Sequence, residues 1–370
     1  MAPPPPELIP DAVEEILLRV PPEEAVHLLR ASFVCKRWRR ILTNQAFLRR
    51  YREFHGTPPL LGFIGNSSLE GRYAPCFVPT TAVSPFPQLS RHCRGSWALD
   101  CRHGRVLLYM SAMEKDLLVW DPVTGDRRRL RVPISSHTVG FSAAVLCAAA
   151  GCDHLDCHGG PFFVVVVWNE EDRDPTRASA YSSETGAWSA ATSVANAHRS
   201  RILTKRGALV GNVMCFTLSV GSIVVYDLDD HRLSLIGWPH MPNARCVDAQ
   251  PMTMEDGSLG LAAVDASRLC VWSRNVDANG AATWVQRRVI GIETMLPIGD
   301  PNSLVDVIGF AEGAGIIFVK RDVSTFTIEL KSGMVRKISD DVKFYTIVPF
   351  MSFYTPDRAN GRLPLPGEIN

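Results

Sequence analysis

A hairpin turn recurs through most of this chain. "WDPVTGDRR" begins at Trp120, "YSSETGAWS" at Tyr181, "YDLDDHRLS" at Tyr226 and "IELKSGMVR" at Ile328. Each joins an apolar or aromatic strand end to a polar residue and then to a turn that usually closes on glycine. Trp272–Ser273 occupies the same slot but opens a longer loop through Asn279–Gly280. Between the turns lie short β-branched and aromatic runs, such as "RVLLYM" (105–110), "FFVVVVW" (162–168) and "GIIFV" (315–319), which read as strands. Anchored on Trp120, Tyr181, Tyr226, Trp272 and Ile328, the steps are 61, 45, 46 and 56 residues. A period near 50 residues with several strands per unit is the signature of propeller blades or an equivalent array. Five hairpins are visible, and a sixth unit is expected either from Leu60–Pro87 or from a C-terminal strand near Tyr345–Tyr354. The expected body is an all-β repeat domain over residues 58–357, a β-propeller of about six blades, with seven as the alternative count and a pair of β-sandwiches as the alternative architecture.

Residues 8–57 follow a different period. Apolar residues there recur at helical spacing: Ile16, Leu17 and Val20; then Val26, Leu28 and Leu29; then Val34, Trp38, Ile41 and Leu42; then Phe47, Leu48, Tyr51 and Phe54. Asp11 is expected to cap the first helix with Glu14 as its capping-box partner, Pro21–Pro22 to stop it, and Asn44 to start the fourth. The second helix is expected over Glu23–Arg30 and the third from about Ser32. A head this small makes a tiny core and calls for a partner.

The residues of this head carry a specific resemblance. "IPDAVEEILLRVPP" followed by "ASFVCKRWRRILTNQAFLRRYREFH" resembles the F-box: a Leu-Pro-type opening, a Leu/Ile-rich helix ending in Pro-Pro, and a Val-Cys-Lys-x-Trp-Arg helix, in order. Ile9 stands where that family usually has Leu, and Ala12–Val13 replace bulkier residues. The resemblance implies docking on the Skp-type adaptor of a cullin-RING ubiquitin ligase. Ile9, Pro10, Ile16, Leu17, Val34, Cys35 and Trp38 would then form the buried contact or its supporting core, a helix-in-groove mode. "DPVTG", "EDGSLGLA", "GFAEGAGIIFV" and "IVPFMSFYTPD" are similar, more loosely, to the body that follows the F-box in grass proteins. The whole is thus identified as a plant, grass-type F-box protein with a β-propeller-like associated domain. The basic cluster "KRWRR" (36–40) reads as a solvated helix face able to meet an acidic partner.

Composition narrows the rest. With 370 residues, 46% hydrophobic and 21% charged, a large core forms, and a net charge of +1 gives no global pull toward nucleic acid or a membrane surface. The opening "MAPPPP" lacks the basic and apolar regions of a secretory signal, and the longest nearly apolar run, Phe141–Cys152, is too short to span a bilayer. The expectation is a soluble intracellular protein, cytoplasmic or nuclear. Residues 1–7 are expected to be a disordered Pro-rich lead and 358–370 a flexible tail. Most of the ten cysteines read as small buried hydrophobes.

No Walker-type loop, Gly-x-Ser-x-Gly elbow or His-Glu-x-x-His occurs. Asp121, Asp227 and Glu329 recur at the hairpin slot, where a turn role is the expectation, since Asp there accepts from its own backbone. Trp120, Trp168, Trp188, Trp238, Trp272 and Trp284 read as blade packing with a rim binding surface as the alternative. "NEEDRDPTR" (169–177) is a candidate specificity loop, though a solvated hairpin is the plainer reading. "CDHLDCHGG" (152–160) invites a metal site on Cys152, His154, Cys157 and His158. That set looks cramped beside ordinary zinc ligand spacing. Leu155-Asp156-Cys157 before a glycine and a strand matches Leu99-Asp100-Cys101 fifty-six residues earlier, so Cys157 is read as a blade-repeat position. No catalytic residue, metal or cofactor is expected, and no substrate-contacting residue is singled out. The leading expectation is a non-catalytic substrate-recognition subunit of an SCF-type ligase. The alternatives are a propeller enzyme or small-ligand binder with a helical cap, and an F-box scaffold without a ligase role.

Overall fold

The computed structural model describes residues 9–356 except 70, 81–94, 111–115, 242–248, 266–267, 278, 293–303 and 341. The expected N-terminal lead and C-terminal tail lie outside the described residues. Among the described residues, twenty-four strands build six antiparallel sheets arranged as blades. Blade 2 is β3 (Trp97–Arg102), β4 (Arg105–Tyr109), β5 (Asp116–Trp120) and β6 (Arg127–Arg131). Blade 3 is β7 (Thr138–Cys147), β8 (Phe162–Glu170), β9 (Thr176–Ser182) and the short β10 (Ala187–Trp188) and β11 (Thr192–Val194). Blade 4 is β12 (Ala208–Val210) to β15 (Leu233–Gly237), blade 5 is β16 (Gln250–Thr253) to β19 (Ala282–Gly291), and blade 6 is β20 (Val305–Ala311) to β23 (Val335–Ser339).

Blade 1 closes the ring. Its β1 (Leu60–Leu69) and β2 (Arg72–Pro79) come from the start of the body and its β24 (Phe344–Met351) from the end, with Ile64 opposite Val348 and Leu60 opposite Met351. The two expected sources of a sixth unit are therefore halves of one blade. β24 packs against both β20 and β3, so blade 1 meets both of its neighbours through the C-terminal strand.

The core lies between blades. Leu107 and Val119 meet Val145 and Val164 at the blade 2–3 junction. Ala144 and Val165 meet Met214 and Tyr226 between blades 3 and 4, and Phe63 meets Ile308 and Phe318 between blades 6 and 1. A strand buried on both faces must be apolar on both, which is why Val164–Val167 run without alternation and are all fully buried.

The recurring hairpins are the third-to-fourth strand turns of blades 2–6. Asp121 accepts from the backbone N–H of Val123 and Thr124, and Asp227 from Asp229 and Asp230. Glycine closes these turns at positive φ, as at Gly125 (83°) and Gly333 (73°). Trp272 departs from its expected slot: β18 (Arg268–Val276) continues past it, and Asp277 takes the turn role by accepting from Asn279 and Ala281.

The head has four α-helices, α1 (Pro10–Leu18), α2 (Ala25–Val34), α3 (Lys36–Leu42) and α4 (Gln45–His55), with a 3₁₀ turn at Pro22–Glu24. Asn44 caps α4 as expected, accepting from Ala46 at 2.8 Å and Phe47 at 3.2 Å. The Asp11 cap does not form. Pro10 takes the first helical position, where its missing N–H costs nothing, and this makes Ile9 the N-cap. The third helix begins later than expected, because Cys35 is extended (φ −160°, ψ 164°) and its Sγ caps α3 through the Trp38 N–H. The head does not stand alone: Phe353 and Leu155 of the body pack into its core beside Leu17, Leu42 and Tyr51.

Candidate functional site

The head separates the family-implied contact residues into two groups. Leu17 is buried, and Trp38 packs partly buried against the same core. Ile9, Ile16 and Val34 are 66%, 53% and 64% exposed, and Cys35 is exposed as well. Ile16 and Leu17 differ because adjacent helical residues point about 100° apart. Phe33, 62% exposed on the last turn of α2, was not singled out from the sequence. Its signal in the sequence is the aromatic next to Val34, which the expected start of a third helix near Ser32 obscures, because α2 runs on through Val34. Pro10 sits at the first turn of α1. Lys36, Arg39 and Arg40 are solvated, in line with the expected basic face.

Residues from three alternate blades meet in one polar network. Arg206, just before β12, donates from Nε to Asp100 of β3 at 2.9 Å and from Nη2 to Glu312, just after β20, at 3.2 Å. Arg102 of β3 contacts Asp100 at 2.6 Å and Glu312 at 3.0 Å. Asp100, fully buried, also accepts from the Val145 N–H of blade 3. Burial by itself would raise the Glu312 carboxyl, but Arg102 and Arg206 beside it hold it below its ordinary value. Two guanidinium groups and two carboxylates pair here, and backbone carbonyls at Gly207, Phe310 and Cys101 take further guanidinium N–H groups. The network joins blades 2, 4 and 6; sequence reasoning missed it because its members are about a hundred residues apart.

The tryptophans pack blades. Trp120 and Trp168 are buried, and Trp238 and Trp272 are part-buried against the blade 4–5 core. Trp188 donates its ring N–H to Arg131 O of blade 2 at 2.9 Å, and Trp284 donates to Gly237 O of blade 4 at 2.8 Å. The "NEEDRDPTR" segment is a β8–β9 hairpin with an exposed tip, tied by Asn196, which donates its side-chain amide to Arg173 O at 2.8 Å and its backbone N–H to the Asp174 carboxylate at 2.7 Å. In an antiparallel blade the second-to-third strand turns lie on the face opposite the first-to-second and third-to-fourth turns, so this hairpin projects from the face away from the head.

"CDHLDCHGG" is not the repeat of Leu99-Asp100-Cys101. Those three residues lie within inner strand β3, whereas Leu155–Cys157 lie in the long β7–β8 connection. β3 and β4 are joined by His103–Gly104 alone, both at positive φ, so residues 148–161 replace a two-residue turn. His158 stands apart from Cys152, His154 and Cys157: it pairs with Asp121 of blade 2 at 2.8 Å. The same connection reaches the head, with Asp156 bonded to buried Arg52 of α4 at 2.8 Å. A groove of ≈ 1420 Å³ runs along this face, lined by Thr57, Arg102, His103, His154, Leu155 and Arg288 among others.

No helix among the described residues is long and apolar enough to cross a membrane. Residues 6–50 match the F-box domain. No curated protein matches the chain. Solved structures with a similar course include the WD40 domain of SCAP from fission yeast (12% identity, TM-score 0.39, covering 65% of this chain and 50% of that one) and a structure of the mitotic checkpoint complex (13% identity, TM-score 0.39, covering 66% and 64%). The chain thus matches about half to two thirds of the length of these structures. Residues 97–357 match the family described as "F-box protein AT5G49610-like, beta-propeller", well over half of the chain, and the protein belongs to that family.

Proposed function

We propose that this protein is the substrate-recognition subunit of a cullin-RING (SCF-type) ubiquitin ligase. The head docks on a Skp-type adaptor through Ile9, Pro10, Ile16, Val34 and Cys35, joined by Phe33, while Leu17 and Trp38 hold the helices behind them. The observation that carries this reading is the display of large exposed apolar side chains on an F-box head whose core is anchored on the propeller by Phe353 and Leu155. Exposed apolar groups clustered on a small domain mark an interaction surface. The propeller then offers the face away from the head, which carries the 169–177 hairpin, to a substrate protein. Such a subunit works by proximity and needs no catalytic group of its own. The mutually neutralised Asp100–Arg102–Arg206–Glu312 network agrees with this, since its charges are spent on joining blades. The same reading implies an intracellular protein, cytoplasmic or nuclear, of the plant, grass-type class, with no nucleic-acid or membrane partner.

The test is direct binding of the full-length chain to a purified Skp-type adaptor. Val34→Asp and Phe33→Asp each remove an anchor of the size that typically contributes about 2 kcal/mol, so affinity should fall about 30-fold or more. Circular dichroism should stay unchanged, because both side chains are exposed. A wild-type chain that fails to associate with the adaptor sinks the proposal.

A further inference from the structure

Cys147, Cys152, His154 and Cys157 come together so that one ligand atom from each lies within 4.8 Å of all the others. We propose that these four residues bind one zinc ion, forming a structural site that shapes the β7–β8 connection. The distances carry the geometry. Zn–S bonds of about 2.3 Å and Zn–N bonds of about 2.0 Å in a tetrahedron put ligand atoms roughly 3.5–3.8 Å apart. Cys152 Sγ and Cys157 Sγ are 3.5 Å apart, and Cys157 Sγ and His154 Nδ1 are 3.5 Å apart. The sulfurs are thus well beyond disulfide bonding distance, about 2.05 Å, and all of the cluster's cysteines are free thiols.

The spacing that looks cramped in sequence opens in three dimensions. Cys147, the last residue of β7, supplies a ligand from the rigid blade edge, and His154 turns back toward the sulfurs through a left-handed backbone (φ 60°). Surrounding groups orient the ligands, as outer-sphere contacts do in metal sites. The Ala149 N–H donates to Cys147 Sγ at 3.4 Å. His103, on the tight turn of blade 2, stacks on the His154 ring at 4.1 Å and 13°, and its Nδ1 accepts from the Cys147 N–H at 2.9 Å. Arg105, two residues on, anchors the far end of the connection through Gly160 O at 2.5 Å. Three thiolates and one imidazole in a tetrahedral array select zinc among common divalent ions, and four protein ligands leave no open position, so the role is structural.

The consequence reaches the head. Leu155 and Asp156 lie between ligands His154 and Cys157, and they are the residues that enter the head's core and pair with Arg52. Metal binding would therefore set the loop that holds the head on the propeller.

Metal analysis of untagged full-length protein, purified reduced and without chelator, tests this. About one zinc per chain is expected, falling below about one tenth in Cys152→Ser and in His154→Asn and staying near one in Cys76→Ser, which alters a cysteine outside the cluster. Should a variant fail to fold, cobalt added to metal-depleted wild-type protein gives the second readout: a thiolate-to-cobalt charge-transfer band with the intense visible bands of a tetrahedral site. A wild-type chain that carries no zinc and takes up no cobalt when reduced overturns the proposal. So does zinc that persists in both ligand variants, or a Cys152–Cys157 disulfide found in the native chain.

Discussion

Glu312 is where a single residue shows how the propeller spends its charge. Its side chain is 24% exposed and bonded to two guanidinium groups. Its folded-state carboxyl titrates below the ordinary 4.5 because Arg102 and Arg206 outweigh the burial that would raise it. The linkage sign follows. As pH falls through about 4.5, the unfolded chain takes up the proton first, so the stabilisation present above that pH is lost on the way down to the folded value. Chemical denaturation from pH 7 to pH 3 should therefore show a shallower acid slope for Glu312→Gln than for the wild type, with lower stability at pH 7; equal slopes would remove the residue from the network's energetics. Arg206→Met should be harsher. It leaves buried Asp100 with one guanidinium partner in place of two, a loss of about 3 kcal/mol by urea titration.

At the scale of elements, turns were legible and closures were not. The Asp121 and Asp227 turns could be read from sequence because a side chain that accepts from the backbone two or three residues on needs only local information. One partner of β1 is β24, far off at the other end of the body, with Ile64 opposite Val348, and only ring closure decides that pairing. The α2–α3 boundary moved because a cysteine thiol capped the helix where apolar periodicity ran straight through. The metal-type cluster was half legible: Cys152, His154 and Cys157 were seen, while Cys147 was hidden as the end of a strand and His158 was misassigned because Asp121 of another blade claims it. Closure also makes a prediction. A Cβ on Gly309 of β20 would lie 2.6 Å from Ile347 O of β24 and 3.2 Å from Ile347 Cβ. The first contact is backbone, which cannot swing aside. Gly309→Ala should thus cost about 1–3 kcal/mol in thermal or urea unfolding, and a neutral effect would show that the blade 6–1 seam yields.

For the whole molecule the question is how firmly a small head is held. Only residues 56–59 link α4 to β1, so its orientation rests on contacts made elsewhere: Tyr51 against Phe353 (6.2 Å between rings, edge-on), Leu155 in the head's core, and Arg52 with Asp156. Arg52 is 7% exposed and Asp156 28%, so their attraction is screened far less than at an open surface. The exposed apolar residues Ile9, Ile16, Phe33 and Val34 take no part in this latch, so the two properties are separable. The double variant Leu155→Ala/Asp156→Asn should release the head without unfolding the propeller. Limited proteolysis should then cut near residues 56–59 roughly tenfold faster or more, because cleavage follows the population of the opened state. Binding to a Skp-type adaptor should change less than about twofold, since truncation outside an interface's anchors is near neutral. Unchanged cleavage would mean that Phe353 and Tyr51 hold the head by themselves; a large loss of adaptor binding would mean that the latch also shapes the docking face.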